Sequence, residues 1–248
     1  MTHTTSGIVL RTVKYGETSV IATIYTSKFG LQSYLVNGVR KATAKGGKAI
    51  MLQPAALLHL EVYHSELKNL QRIKEVSWAH IYRELYSDVV RNSIATFLIE
   101  LLTKVFRQPE TNEDLYLFIE DAFLSVDRCA PDVTANFAIW FSLQLPQFFG
   151  LQLQEATPAI LKGDTLYLDM IAGQFTNTLP QHSQYLEGEW ALIIAELMQV
   201  MQPLELEQFK LKKEARRTLL YALLQYYQFH FQDFGTMRSL KIMQEVLG

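Results

Sequence analysis

Apolar and polar residues alternate in single steps over the first third of the chain. "SGIVLRTVKY" (residues 6–15) sets Ile8, Leu10 and Thr12 on one face against Val9, Arg11 and Val13 on the other, the period of a strand. "SVIATIYTS" (19–27) is β-branched and aromatic, and "GLQSYLVNG" (30–38) follows a Phe29-Gly30 turn. "AALLHLEVYHS" (55–65) and "NLQRIKEVSW" (69–78) complete five predicted strands. The turns "YGET" and "SKFG" are short enough to make antiparallel hairpins of their neighbours. The connection over residues 38–53 is too long for that. Five short strands with one long connection after the third predict an OB-type barrel. An SH3-like barrel shares this periodicity, which does not separate the two.

From about Trp78 the apolar spacing changes to three and four. "DVVRNSIATFLIELLTKVF" (88–106) places Val90, Ile94, Phe97, Leu98, Leu101, Leu102 and Val105 on one helical stripe. "TNEDLYLFIEDAFLSV" (111–126) opens with Thr111 as the expected N-cap and Asp114 at N3. "TANFAIWFSLQLPQFFG" (134–150) is apolar nearly all round and predicts a buried central helix, kinked at Pro146 and ended at Gly150. Residues 151–187 lose the period: one short hairpin is expected in "DTLYLDMIAGQFTN", and an irregular approach in "LPQHSQYLEGEW". Further helices are predicted from Trp190 up to Pro203, over residues 207–232, and in "MRSLKIMQEVLG". The expected class is therefore α+β with two domains: a five-stranded OB-fold barrel over 1–80, and an all-α domain over 81–248 with a short irregular or hairpin insertion.

Charge divides along the same line. The net charge is −2, yet residues 1–80 carry ten Lys/Arg against four Asp/Glu, and the remainder thirteen against twenty-one. A basic first third and an acidic remainder point to modules with different partners. Half the residues are apolar, which excludes a disordered chain. Cys129 stands alone, so an internal disulfide and a multi-thiolate zinc site are excluded. "MTHTTSGIVL" shows no signal peptide and no apolar run reaches about 20 residues, so a cytoplasmic protein without a membrane span is expected.

Catalytic chemistry finds little support. "AKGGKA" superficially resembles a phosphate-binding loop, but Ala42 and Ala49 stand where glycine and a magnesium-binding hydroxyl are needed. His59 and His64, five apart, point to opposite faces of a strand. His3 lies near a terminus expected to be mobile, and His80, His182 and His230 are isolated. Cys129 reads as a small buried thiol. No metal, cofactor or enzyme is expected.

Two basic clusters remain. In "NGVRKATAKGGKA", Arg40, Lys41, Lys45 and Lys48 fall within nine positions without an acidic residue, on the long barrel connection and near Arg11, Lys14 and Lys28. The bland reading is a solvated loop. The functional one is nucleic-acid binding by phosphate neutralisation, with Tyr15, Tyr25, Phe29, Tyr34 and Tyr63 as candidate stacking platforms, at least half of which must fill the barrel. In "KLKKEARR" (210–217), helical spacing puts Lys210, Lys213 and Arg217 on one face with Arg216 flanking, opposite Leu211, Ala215 and Leu219. This is either a solvated helix surface or a cationic rim for an acidic peptide.

"YGETSVIATIYTSKFGLQSYLVNGVRK" resembles the amino-terminal signature of RecO, a family of bacterial recombination mediators. The matching motifs are Gly16-Glu17-Thr18, Thr26 to Gly30, and Gly38 to Lys41. "LQPAALLHLEVYHSELKNLQRIKEV" is similar to the strands that follow in that family, and "MRSLKIMQEVLG" to its closing helix. The resemblance implies an OB-fold followed by a helical domain, without catalytic residues. It further implies binding to single- and double-stranded DNA, strand annealing, and work with RecR to load RecA onto strands coated by single-strand-binding protein (SSB). The helical domain would then dock the SSB tail, which is acidic and ends in apolar residues. By motif, DNA contact carries over to Arg40 and Lys41; Lys45 and Lys48 join them on charge. One departure is plain. Many members carry a four-cysteine zinc site in the region matching residues 151–177, where this chain has no cysteine. The competing expectation is a protein–protein adaptor whose barrel binds a partner, with DNA affinity incidental.

Overall fold

The structure, a computed structural model, describes residues 2–39, 47–106 and 108–246, the side chain of Lys48 excepted. Its residues gather into two compact units, Met1–Arg128 and Cys129–Gly248. The change from strands to helices near residue 80 thus falls inside the first unit, and the first two long helices belong with the barrel.

In the first unit β1 (Thr2–Tyr15), β2 (Ser19–Thr26), β3 (Gly30–Val36), β4 (Leu57–Tyr63) and β5 (Leu70–Trp78) close into a barrel in the order β1-β2-β3-β5-β4. All neighbours are antiparallel except β3 and β5. This is the expected OB-type barrel. Alternation fills it: Val20, Ala22 and Ile24 from β2, Tyr34 and Val36 from β3, and Leu58, Leu60 and Val62 from β4 all enter one core. β1 departs from simple alternation. A bulge between Val9 and Arg11 shifts the register, so Thr12 and Lys14 pair with Ala22 and Val20 while Arg11 and Val13 pair with Thr23 and Ile21. Ile8, paired with Tyr25, and Thr12, paired with Ala22, therefore do not share a face, because a bulge inserts one unpaired residue and exchanges the sides beyond it. β1 also begins at Thr2, and His3 is paired with Val62 rather than lying in a mobile terminus.

The long connection contains a short helix, α1 (Gly47–Met51), that periodicity did not reveal. After the barrel come α2 (Val89–Val105), capped by Asp88 through Arg91 N–H at 2.8 Å, and α3 (Glu113–Arg128). The N-cap of α3 is Asn112, whose side chain accepts from Leu115 N–H at 2.9 Å, and not Thr111. Asp127, almost fully buried, accepts backbone N–H groups from Arg83, Glu84 and Leu85 at 2.9–3.1 Å. Burial raises its pKa, but these donors and the nearby His80 outweigh it and hold the carboxyl below the ordinary carboxylate value.

The second unit is built around α4 (Pro131–Gln144), which starts three residues before the expected Thr134 because Pro131 suits the first helical turn. Ten of its consecutive or near-consecutive residues from Val133 to Leu143 are buried. Trp140 Nε1 donates to Val200 O at 2.9 Å, and Tyr227 Oη to Ser142 O at 2.9 Å. At Pro146 the helix gives way to a 3₁₀ turn (Leu145–Phe149), closed by Gly150 at φ 68°. α5 (Pro158–Leu161), α6 (Glu189–Met198), α7 (Lys213–His230) and α8 (Ser239–Val246) complete the helices.

Residues 151–187 hold the expected hairpin, β6 (Tyr167–Asp169) with β7 (Gln174–Thr176), and a third strand, β8 (Tyr185–Glu187), in the stretch expected to be irregular. Three residues are too few to show a period; pairing with β6 defines the strand. Gln184 N–H donates to His182 Nδ1, and His182 Nε2 lies 3.2 Å from Asp169 Oδ2. The donor set here does not suit a zinc ion: there is no cysteine, and among the described residues no three His, Cys, Asp or Glu side chains come together. Also among the described residues, no helix is long and apolar enough to cross a membrane.

Candidate binding surfaces in the two units

In the first unit the cationic connection is rooted in the barrel at both ends. It leaves β3 through Asn37, whose Oδ1 accepts from Ser19 Oγ at 3.0 Å, then Gly38 at φ 71° and the buried Val39. It returns through buried Leu52, whose carbonyl accepts from Thr12 Oγ1 at 2.6 Å. Arg40, Lys41 and Lys45, together with the side chain of Lys48, lie outside the described residues. Lys14 shares the side of β1 with Thr12 and so stands on the same side as the connection's return, whereas Arg11, an odd number of residues away on the regular part of the strand, points to the opposite face; both are exposed.

The five candidate aromatics separate by environment. Tyr34 lies in the barrel core and Tyr25 is equally buried on the outer face of β2, stacked on Phe106 at 4.4 Å and donating to Asn112 O at 3.2 Å. Burial pushes both phenols up to about 12. Neither is available for stacking. Tyr15 and Tyr63 are about half exposed. Phe29 stands apart, on the wall of a groove of about 520 Å³ formed by β2, β3, the β4–β5 turn and residues 108–111.

That groove was not foreseen from sequence. Phe29 stacks on His64 with ring centres 4.0 Å apart and planes at 16°, and His3 meets Phe29 edge-on at 5.4 Å. The turns on both sides are wired into the barrel. Thr26 Oγ1 donates to Gly30 O at 2.9 Å and accepts from Phe29 N–H at 3.1 Å. Buried Gln71 accepts from Ser65 N–H and donates to the carbonyls of Ser65 and Lys68 at 2.6–3.0 Å. Gly30 sits at φ 60°, and a Cβ there would lie 2.2 Å from Glu110 O, so only glycine allows the 108–111 segment to close this side. Only the "SKFG" turn signalled any of this in sequence; the partner strand turn, forty residues later, did not.

In the second unit a pocket of about 330 Å³ has Ala135, Ala138 and Ile139 of α4 and Leu220 of α7 as its apolar side. Lys213, Arg216 and Arg217 of α7 and Lys241 of α8 line it as well, with Glu245 the one acid. Arg216 Nη1 donates to Leu211 O at 2.6 Å, and Arg217 Cζ lies 5.8 Å from the Tyr221 ring centre. Three of the four cations expected from "KLKKEARR" are thus brought together. Lys210 is not among them. α7 starts at Lys213, after a 3₁₀ turn (Pro203–Gln208), so helical spacing does not extend back to Lys210. Its ammonium instead meets Asp132 at 2.7 Å, a hydrogen bond that raises the lysine pKa and lowers that of the carboxyl. Lys241, from the last helix, was missed because nothing in sequence relates it to α7.

A closed OB-type barrel with a connection that is cationic in sequence is thus followed along the chain by a helical unit bearing a cation-rimmed apolar pocket. Residues 1–82 match the family described as "Recombination protein O N terminal", and residues 86–239 that described as "Recombination protein O C terminal". The chain belongs to the RecO family. It is 31% identical over 248 residues to the DNA repair protein RecO of Phocaeicola vulgatus, covering 100% of both chains. It is 32% identical over 249 residues to that of Bacteroides fragilis, covering 99% of each, and 28% identical over 241 residues to that of Porphyromonas gingivalis, covering 95% of each.

Proposed function

We propose that this chain is a cytoplasmic, non-enzymatic mediator of DNA repair. The barrel of residues 1–80 holds single- and double-stranded DNA through Arg40, Lys41, Lys45 and Lys48, together with Lys14 and Arg11. The helical part, residues 81–248, docks a protein partner at the pocket of Lys213, Arg216 and Arg217. An acidic tail ending in apolar residues, as the SSB tail does, suits cations around an apolar floor. With RecR, such a protein anneals strands and assists RecA onto SSB-coated DNA by handling strands, without nucleotide hydrolysis. The observation that carries this reading is the OB-type barrel whose long connection is rooted at both ends and holds four unopposed cations in its sequence.

Four phosphate contacts give a log–log salt slope of about −2.8 on a single strand and about −3.6 on a duplex. A fourfold rise in salt then weakens binding about fifty- to 150-fold. Fluorescence anisotropy across salt, wild type against the Arg40→Ala/Lys41→Ala/Lys45→Ala/Lys48→Ala variant, is the test. The variant is expected to lose most of the slope. An unchanged slope would remove the connection from the interface and favour the adaptor reading.

A further inference from the structure

The groove on the barrel differs in kind from the cationic connection, and lies at the other end of β3. Asn37, at the foot of the connection, follows the last residue of that strand, whereas Phe29 precedes its first. The first of these ends carries the basic connection in sequence, with the half-exposed Tyr15 at its foot. The other presents, among the described residues, a stacked aromatic pair, amides, the cations Lys28 and Lys68, and the acid Glu66.

We propose that this groove is a nucleobase subsite, which holds an unpaired base of single-stranded nucleic acid against the Phe29–His64 stack. Its volume lies in the range of small-ligand sites, about 300–1,000 Å³. The ring pair supplies a flat, preorganised π surface of the sort on which any base stacks. Gln32 and Asn69 line the same space, and side-chain amides both donate to and accept from base edges. Gln32 is already fixed through Nε2 to Phe29 O at 2.8 Å, which leaves its carbonyl oxygen for a base edge. Lys28 and Lys68 also line the groove and meet the flanking phosphates. A duplex is not the occupant, because its bases are already paired and stacked.

The geometry is set before any ligand arrives. Gln71 uses both ends of its amide to hold the His64–Lys68 turn, and Thr26 holds the turn carrying Phe29. A preorganised wall does not lose freedom on binding. Burial and the neighbouring His3 lower the His64 pKa, so the ring stacks in its neutral form without a charge to desolvate.

This inference rests on the DNA-binding reading, and two probes separate the two ideas. Labelled oligothymidylate of about 16 nucleotides, the upper site size for one OB barrel, is compared by anisotropy with an abasic oligomer of equal length. The abasic strand keeps every phosphate and offers nothing to stack. Wild type is expected to bind oligothymidylate more tightly than the abasic strand. Phe29→Leu and His64→Ala should each weaken oligothymidylate about five- to 150-fold, the range for one stacked base, and the abasic strand less than about twofold. The connection variant should weaken both probes alike. Equal wild-type affinity for the two probes, or groove variants that leave oligothymidylate unchanged or weaken both strands equally, would overturn the base subsite alone. Binding of neither probe by wild type would overturn the DNA reading and the subsite with it. Should Phe29→Leu fail to melt cooperatively, His64→Ala, at a half-buried position, decides the matter.

Discussion

The groove of the barrel unit and the pocket of the helical unit reach a binding surface by opposite routes. The groove is shaped from behind: Gly30, Thr26 and Gln71 touch its walls without offering chemistry of their own. The pocket is shaped from in front, by cations that are themselves the contact groups, Lys213, Arg216, Arg217 and Lys241 around an apolar floor. Substitutions should therefore act differently in the two places. Changes to the supporting residues of the groove should act on folding and through it on the surface; changes to the pocket cations should act on binding and leave folding nearly intact.

The largest effect is expected at Gly30. Gly30→Ala places a methyl against Glu110 O in a left-handed conformation and should destabilise the barrel unit by about 2–5 kcal/mol, summing backbone strain and overpacking. A urea titration reads this; a loss under about 1 kcal/mol would mean that residues 108–111 yield easily, and the contrast between the units would weaken.

Asp127→Ala comes next, at about 2–4 kcal/mol, because three backbone donors lose their acceptor. The carboxyl is held below its unfolded value of about 3.9. Its contribution is thus fully present above that value and is lost as pH falls through the lower, folded one. The urea midpoint of wild type should drop more steeply between about pH 5 and pH 3 than that of Asp127→Asn, which has no charge to lose. Parallel curves would show that the three hydrogen bonds do not depend on ionisation.

At the pocket, Arg216→Glu/Arg217→Glu should weaken an acidic peptide with an apolar carboxyl end by about ten- to a hundredfold, with melting shifted only slightly. Comparable damage to folding would erase the distinction between the two surfaces. The smallest effect is expected at Lys210. Lys210→Ala should alter peptide affinity less than about twofold, since that ammonium is outside the pocket and paired on the surface with Asp132. A large loss would return Lys210 to the binding face.

How far the sequence carried each conclusion follows from the range of the forces involved. Periodicity is a local property. It was enough for all five barrel strands, the order of the long helices, and the buried all-apolar α4. It failed where a single residue resets the count, as at the β1 bulge that puts Ile8 and Thr12 on different faces, and where a segment is too short to show a period, as at β8. Helix starts failed similarly: Lys210 shared the spacing of α7, but the chain there is not helical.

Motif and charge, also readable along the chain, reached the family and the two cationic segments. What they could not reach was proximity between distant residues. Phe29 beside His64, Gly30 beneath Glu110, and Lys241 beside Arg217 are each products of strand pairing or helix packing across tens to a hundred residues. By itself, then, the sequence determined an OB-type barrel with a basic connection, followed by a helical segment with a basic helix start. Tertiary structure alone decided which rings are buried, which cations converge, and that the barrel carries a groove at the end away from its long connection. Local spacing determines elements, whereas a site is made by contacts that only the closed fold brings within reach.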